Sequence, residues 1–302
     1  MTINNAMRPR RFHLAVALTS FLITCTCATA EPVSRVIVSI LPQKEFVQRI
    51  AGDGVQIDVL VKPGDSPATY APTLRQMSAI GRADVLFQIG VPFENSILPE
   101  IRDRFPELRI VDCRHGITLR QLEANTPNQH VHSAQCDHAH EGDDPHIWLD
   151  PVNVTRISAT IRDTLVQIDP AGKTRYDANY EQFAESLDRT HQRIVSMLAP
   201  FSGRKVYAFH PAYGYFADAY ALQQVAVETG GNEPSPRHLS ELIRQARQDQ
   251  VRVIFVQPQF SQRAARTLAD QAGAAVVALD PLAGDYLANL QRIAESISAA
   301  LK

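Results

Sequence analysis

The chain has 302 residues, a formal net charge of −2 with its 10 histidines counted as neutral, and hydrophobic side chains at 45% of positions. That length is ample for two domains of ordinary size. The mild acidity suits a cationic solute, and the lack of a basic patch with interleaved aromatics excludes a nucleic-acid binder.

The first thirty residues read as an address. Arg8, Arg10 and Arg11 form a positive start, and 12–23 is apolar apart from His13, Thr19 and Ser20. The run is too short to span a bilayer comfortably, and Ala28-Thr29-Ala30 has the small-x-small pattern of a cleavage site. Cleavage there leaves a mature chain starting at Glu31, with a net charge of about −5 because three arginines are lost. A lipoprotein anchored through Cys25 is the competing reading, and Ile23-Thr24 before that cysteine fits it poorly. Cleavage leaves Cys113 and Cys136, a single pair rather than a disulfide framework, with their pairing open.

Beyond the leader, β-rich runs alternate with segments of helical period. Strands are expected at 36–40, 55–61, 85–89 and around Ile110-Val111. Helices are expected around Phe46, Val47 and Ile50, over 72–80, and around 97–101. Such alternation predicts parallel βαβ units. The stretch 126–144 breaks the rhythm. It has no hydrophobic period and carries His130, His132, His138 and His140 among polar residues, so it reads as a loop.

Helical spacing resumes with Val154, Ile157, Ile161 and Leu165. A long helix over 171–198 follows, with Tyr176, Tyr180, Phe183, Leu187, Ile194 and Leu198 on one face. It would be roughly 40 Å long, unusual for one crossover and suited to a rigid spine between two lobes. The second half repeats the alternation, with strands at 206–209, 225–227, 253–256 and 275–279 and helices at 240–248, 262–272 and 286–301. The expected fold class is α/β: two lobes with parallel sheets joined by one long rigid helix. The expected division is a leader over 1–30, an N-terminal lobe over 31–170, a spine over 171–199 and a C-terminal lobe over 200–302.

Three polar residues stand where ligands gather in open α/β sheets, beyond the carboxyl ends of strands or at a junction of loop and structure. His210 follows the strand 206–209, Asp280 follows the strand ending at Leu279, and His146 closes the irregular segment. Pro145, Pro211 and Pro281 flank them and restrict the neighbouring backbone. Two imidazoles and a carboxylate make a sound set for a borderline divalent ion such as zinc. A hydrogen-bonded histidine at a strand end is the plainer alternative for each taken alone.

The chain also resembles the zinc/manganese substrate-binding proteins of ABC importers, over nearly all of its mature length. The segments that carry the likeness are Ser66-Pro67-Ala68-Thr69-Tyr70-Ala71-Pro72-Thr73, Ala83-Asp84-Val85-Leu86, Asp144-Pro145-His146-Ile147-Trp148-Leu149-Asp150-Pro151, Phe209-His210-Pro211-Ala212-Tyr213, Glu233-Pro234-Ser235-Pro236 and Leu279-Asp280-Pro281-Leu282. The resemblance implies two lobes on a spine helix, with the metal in the cleft and His146, His210 and Asp280 as ligands. It also implies a fourth ligand, a histidine, at the position occupied here by Ala68. Alanine cannot bind metal, so water, a histidine of the 126–144 loop, Asp65 or Tyr70 would have to complete the set. A comparable histidine-rich loop in zinc-specific members turns the expected cargo from manganese to zinc, with His130, His132, His138 and His140 as auxiliary ligands. Trp148 and Tyr213 read as packing around the cleft.

The function expected is that of a monomeric, non-enzymatic periplasmic receptor that passes Zn2+, with Mn2+ as the alternative cargo, to the membrane permease of an ABC importer. Two other classes compete. A secreted zinc hydrolase would use the same ligands but lacks a His-Glu-x-x-His helix. A receptor of the same fold for a chelated or organic solute is supported by Ala68 alone.

Overall fold

Among the described residues, eight short strands form two separate four-stranded sheets in which every pairing is parallel. The computed structural model describes residues 1–2, 34–122, 142–228, 231–260 and 263–302. The leader over 3–33 therefore lies outside the described residues, as do His130, His132, Cys136, His138 and His140.

The first sheet uses β1 (Ser34–Val38), β2 (Val55–Val59), β3 (Val85–Gln88) and β4 (Arg109–Asp112) in the order β2-β1-β3-β4. The connecting helices are α1 (Leu41–Ala51), α2 (Leu74–Ile80) and α3 (Pro92–Arg104). The second sheet repeats the scheme with β5 (Lys205–Ala208), β6 (Gln223–Ala226), β7 (Val253–Val256) and β8 (Ala275–Ala278) in the order β6-β5-β7-β8. Its connections are α6 (Gly214–Ala219), α7 (Pro236–Gln248) and α8 (Arg263–Ala272). In each sheet the strand order reverses beside the first strand, which opens a crevice at the carboxyl ends.

Local chemistry moved some boundaries. Thr73 caps α2, its Oγ1 accepting from the Gln76 amide, so Pro72 lies before the cap and not in the first turn. Ser235 likewise caps α7 through the His238 amide, which starts that helix at Pro236, ahead of the expected 240. The six-residue α6 was not foreseen; it is too short to show a helical period.

Between the sheets run α4 (Pro151–Ile168) and the 26-residue α5 (Lys173–Leu198), about 39 Å of helix. Tyr176, Phe183, Leu187, Ile194 and Leu198 of α5 are buried, and the helix packs on α1, α4 and the terminal helix α9 (Tyr286–Leu301). The apolar face of α9 needs cover, and it finds it on the spine and the first lobe. Tyr286 sets its ring edge-on to Phe46 at 4.8 Å, and its amide donates to Glu45 at 2.5 Å. One continuous hydrophobic core thus joins the first sheet, the spine, α9 and part of the second sheet, while a second cluster sits under α7 and α8.

Because α5 carries contacts from both halves, its buried face should dominate stability. Leu187→Ala is expected to lower the unfolding free energy by about 2–5 kcal/mol. Val195→Ala, on the exposed face, should change it by less than about 0.5 kcal/mol in the same urea titration.

Candidate metal centre

His146 and His210 reach the cleft from different lobes and meet there. Their Nε2 atoms stand 3.3 Å apart, with ring centroids 5.1 Å apart and the planes steeply inclined. His210 stands two residues past the buried end of β5. His146 precedes a short turn, Ile147–Leu149, whose three side chains are all buried, and Asp150 then caps α4.

Each imidazole is held from behind by a carboxylate. His146 Nδ1 lies 2.7 Å from Asp144 Oδ1, and His210 Nδ1 lies 2.5 Å from Glu228 Oε1. Asp144 is wholly buried. Burial alone would raise its carboxyl, but His146 and the Arg120 guanidinium outweigh that and hold it below the usual carboxylate range. Burial pushes the His146 imidazolium below its ordinary pKa, opposed by the charge on Asp144. Asp144 is thus a carboxylate accepting from a neutral ring. With Nδ1–H donated to Asp144, Nε2 of His146 carries the lone pair, and the His210 ring presents Nδ1 to Glu228 in the same orientation.

Other side chains fix the rings. Gln257 brackets the His210 backbone, its Oε1 accepting from the amide at 3.3 Å and its Nε2 donating to the carbonyl at 2.9 Å. Phe260 stacks on the His210 ring at 4.7 Å. Trp148 and Tyr213 pack as expected and also tie down the segment after β8. Trp148 Nε1 donates to Pro281 O, and Tyr213 Oη to Leu279 O. Asn289 of α9 donates to the Asp280 carbonyl.

The structure brings two of the three expected ligands together. Asp280 stands after β8 with Oδ1 accepting from the Leu282 amide at 2.9 Å and from Gln259 Nε2 at 3.1 Å. Among the described residues, no group of three or more His, Cys, Asp or Glu side chains is gathered closely enough to hold an ion. Ala68 lines the same cleft, a space of about 430 Å³ that also borders Arg114, Asn95, Gln257 and Gln259. Asp65 and Tyr70 line a different depression, where Tyr70 Oη donates to Gln76. Leu122 and Gly142, which border the cleft, flank the histidine-rich segment. Cys113 is buried, and its thiol is pushed up by burial.

Sequence reasoning passed over Asp144 and Glu228 as partners of the histidines. A usable signal existed for Glu228, which follows the strand 225–227 as His210 follows 206–209. Asp144 lay inside a quoted motif, two residues before His146.

Two nitrogens that each bind a tetrahedral zinc ion at about 2.0–2.1 Å lie about 3.3 Å apart. The observed pair has that spacing. The fold and this pair define a two-lobed α/β receptor with an imidazole-lined cleft. The match to known proteins is closer still. Residues 36–300 fit the family model described as "Zinc-uptake complex component A periplasmic", and the chain belongs to that family. A crystal structure of ZnuA superposes with a TM-score of 0.82 at 35% identity, covering 89% of this chain and 99% of the other. A zinc-bound ZnuA lacking its residues 138–173 gives 0.80 at 34% identity, over 89% and 98% of the two chains. The zinc-binding lipoprotein AdcA of Streptococcus pneumoniae serotype 4 is 26% identical over 276 residues, covering 89% of this chain. The chain spans only 54% of that relative's length.

Glu228→Gln keeps an acceptor for His210 Nδ1 but removes its charge. Divalent-metal affinity, measured by chelator competition, is expected to fall between about tenfold and a hundredfold with unchanged far-UV circular dichroism.

Proposed function

We propose that this protein captures a divalent transition metal, zinc, outside the cytoplasm and delivers it to the membrane permease of an ABC importer. One observation carries the reading. Two imidazoles, each held at Nδ1 by its own carboxylate, bring their Nε2 atoms within 3.3 Å of one another. Two lone pairs at that distance repel unless a proton or a metal cation lies between them, and a metal held by both nitrogens takes the proton's place. The zinc-binding relatives and the imidazole ligands favour zinc over manganese, which prefers oxygen donors.

Asp280 is the third ligand in this reading, supported by its place after β8 and by the tethering of residues 279–282 to Trp148 and Tyr213. Movement of the lobes about the cleft brings its second oxygen to the ion. Ala68 supplies no donor, so water completes the set, with His130, His132, His138 and His140 of the neighbouring segment as auxiliary ligands. Residues 1–30 export the chain to the periplasm, and the mature protein works as a monomer. A carrier is favoured over a hydrolase because Asp144 and Glu228 are committed to the imidazole Nδ1 atoms, leaving neither to act as a general base.

Metal analysis of the mature protein without an affinity tag tests the proposal. One zinc per chain is expected, retained against excess manganese and lost in His210→Ala; a metal-free wild type after exposure to zinc refutes it. A proton competes with the metal for each imidazole, so affinity should be flat above about pH 7 and fall below about pH 6. Burial depresses the His146 pKa, so protonation of that ring sets in at lower pH than in a free histidine. Titration calorimetry showing equal affinity at pH 7.5 and pH 5 would contradict this.

A further inference from the structure

A chain of charged contacts runs from the second lobe into the back of His146, and none of its outer members faces the cleft. Arg120 follows the first sheet. Its Nη1 donates to Asp144 Oδ2 at 2.9 Å, and its Nε donates to Asp218 of α6 at 3.0 Å. The Arg120 amide donates to Tyr215 Oη at 3.0 Å, and the guanidinium lies 5.8 Å from the centre of that ring. Asp144, pinned by Arg120 through one oxygen, uses the other for His146 Nδ1 and for the His146 amide. The backbone beside them is clasped: the Asp144 amide donates to Arg120 O, and Gln121 forms an antiparallel bridge with Asp143.

The start of α6 is shaped to receive the guanidinium. A Cβ built on Gly214 would lie 1.6 Å from Arg120 Nη1 and 2.8 Å from Asp144 Oδ2. Only glycine lets the charge rest there. α6 also packs on β6 and touches the turn Ile147–Leu149 that follows His146.

We infer that Arg120 is a positioning residue through which α6 of the second lobe fixes the tautomer and aim of His146, so that metal affinity depends on a contact between the lobes made behind the histidine and outside the cleft lining. Arg120 touches no metal. It holds Asp144 as an oriented carboxylate, and the oriented carboxylate keeps the proton on Nδ1 and the lone pair on Nε2. Separating α6 from Arg120 frees the Asp144 carboxylate to rotate, and the imidazole turns with it. The consequence for affinity rests on the zinc reading above; the consequence for the ring does not.

The test compares three variants of the full chain. Arg120→Gln is expected to weaken zinc binding by about tenfold to a hundredfold. Gly214→Ala, which alters no charge and no ligand, should reproduce most of that loss by displacing the guanidinium. Asp218→Asn, at a side chain 63% exposed, should weaken binding a few-fold, and adding it to Arg120→Gln should cost nothing more. The readout that a merely structural role would not move is the 15N spectrum of the metal-free His146 ring. Wild type should show a single tautomer with Nδ1 protonated, and Arg120→Gln and Gly214→Ala a mixture. A single unchanged tautomer in both variants overturns the inference, as does wild-type zinc affinity in Arg120→Gln. Should Arg120→Gln fail to fold, Asp218→Asn with wild-type affinity and an additive effect in Gly214→Ala/Asp218→Asn overturns it equally. If wild type binds no zinc yet the ring spectra shift as described, the cargo assignment falls and the positioning role stands.

Discussion

Everything at this site depends on the proton of each imidazole being held on Nδ1. Asp144 and Glu228 do that work from behind, each against one ring. A free imidazole divides its proton between two nitrogens and turns about two bonds, so an ion would have to select one state from several. Here the selection is made in advance. The two Nε2 atoms converge at a separation that suits a tetrahedral ion.

The rest of the molecule keeps that arrangement stiff. Parallel sheets put the carboxyl ends of their strands at one rim, which gives the second lobe His210, Glu228 and Asp280 on the connections that leave β5, β6 and β8. The long α5, flanked by α1, α4 and α9, makes large hinge motion costly because one apolar core runs through all of them. Tyr286 shows how closely the halves are sewn together. It packs on Phe46, takes its amide contact from Glu45 and donates its hydroxyl to the Trp148 carbonyl, while Trp148 itself reaches Pro281. A receptor built this way answers its cargo through small adjustments at the cleft rather than a wide closure.

That stiffness also explains why polar groups can be buried at the site at all. Asp144 is fully buried, yet it accepts from His146 and Arg120 and so has its desolvation offset. Glu94, also buried, receives the Ile89 and Gly90 amides and the Ser39 hydroxyl, fixing the loop beyond β3 that borders the cleft. In each case the carboxyl group is held by groups from several elements, so the geometry survives only when those elements are packed together.

The alternation of strand and helix, the parallel sheets, the spine from Tyr176 to Leu198 and the placing of His210 at a strand end were all legible in the residue order. They follow from periodicity and from the short range of backbone preferences. The motif segments likewise marked His146, which the fold brings against His210. What only the tertiary structure decided were contacts between residues far apart in the chain: His146 against His210, Glu228 behind His210, Arg120 across to α6, and α9 folding back onto the first lobe. Ala68 is the plainest case. Its sequence position said only that a donor was missing, whereas the fold showed that it borders the cleft and that Asp65 and Tyr70 do not. Side chains report their own chemistry to anyone reading along the chain, but which nitrogen keeps a proton is set by a neighbour that the chain brings near only by folding.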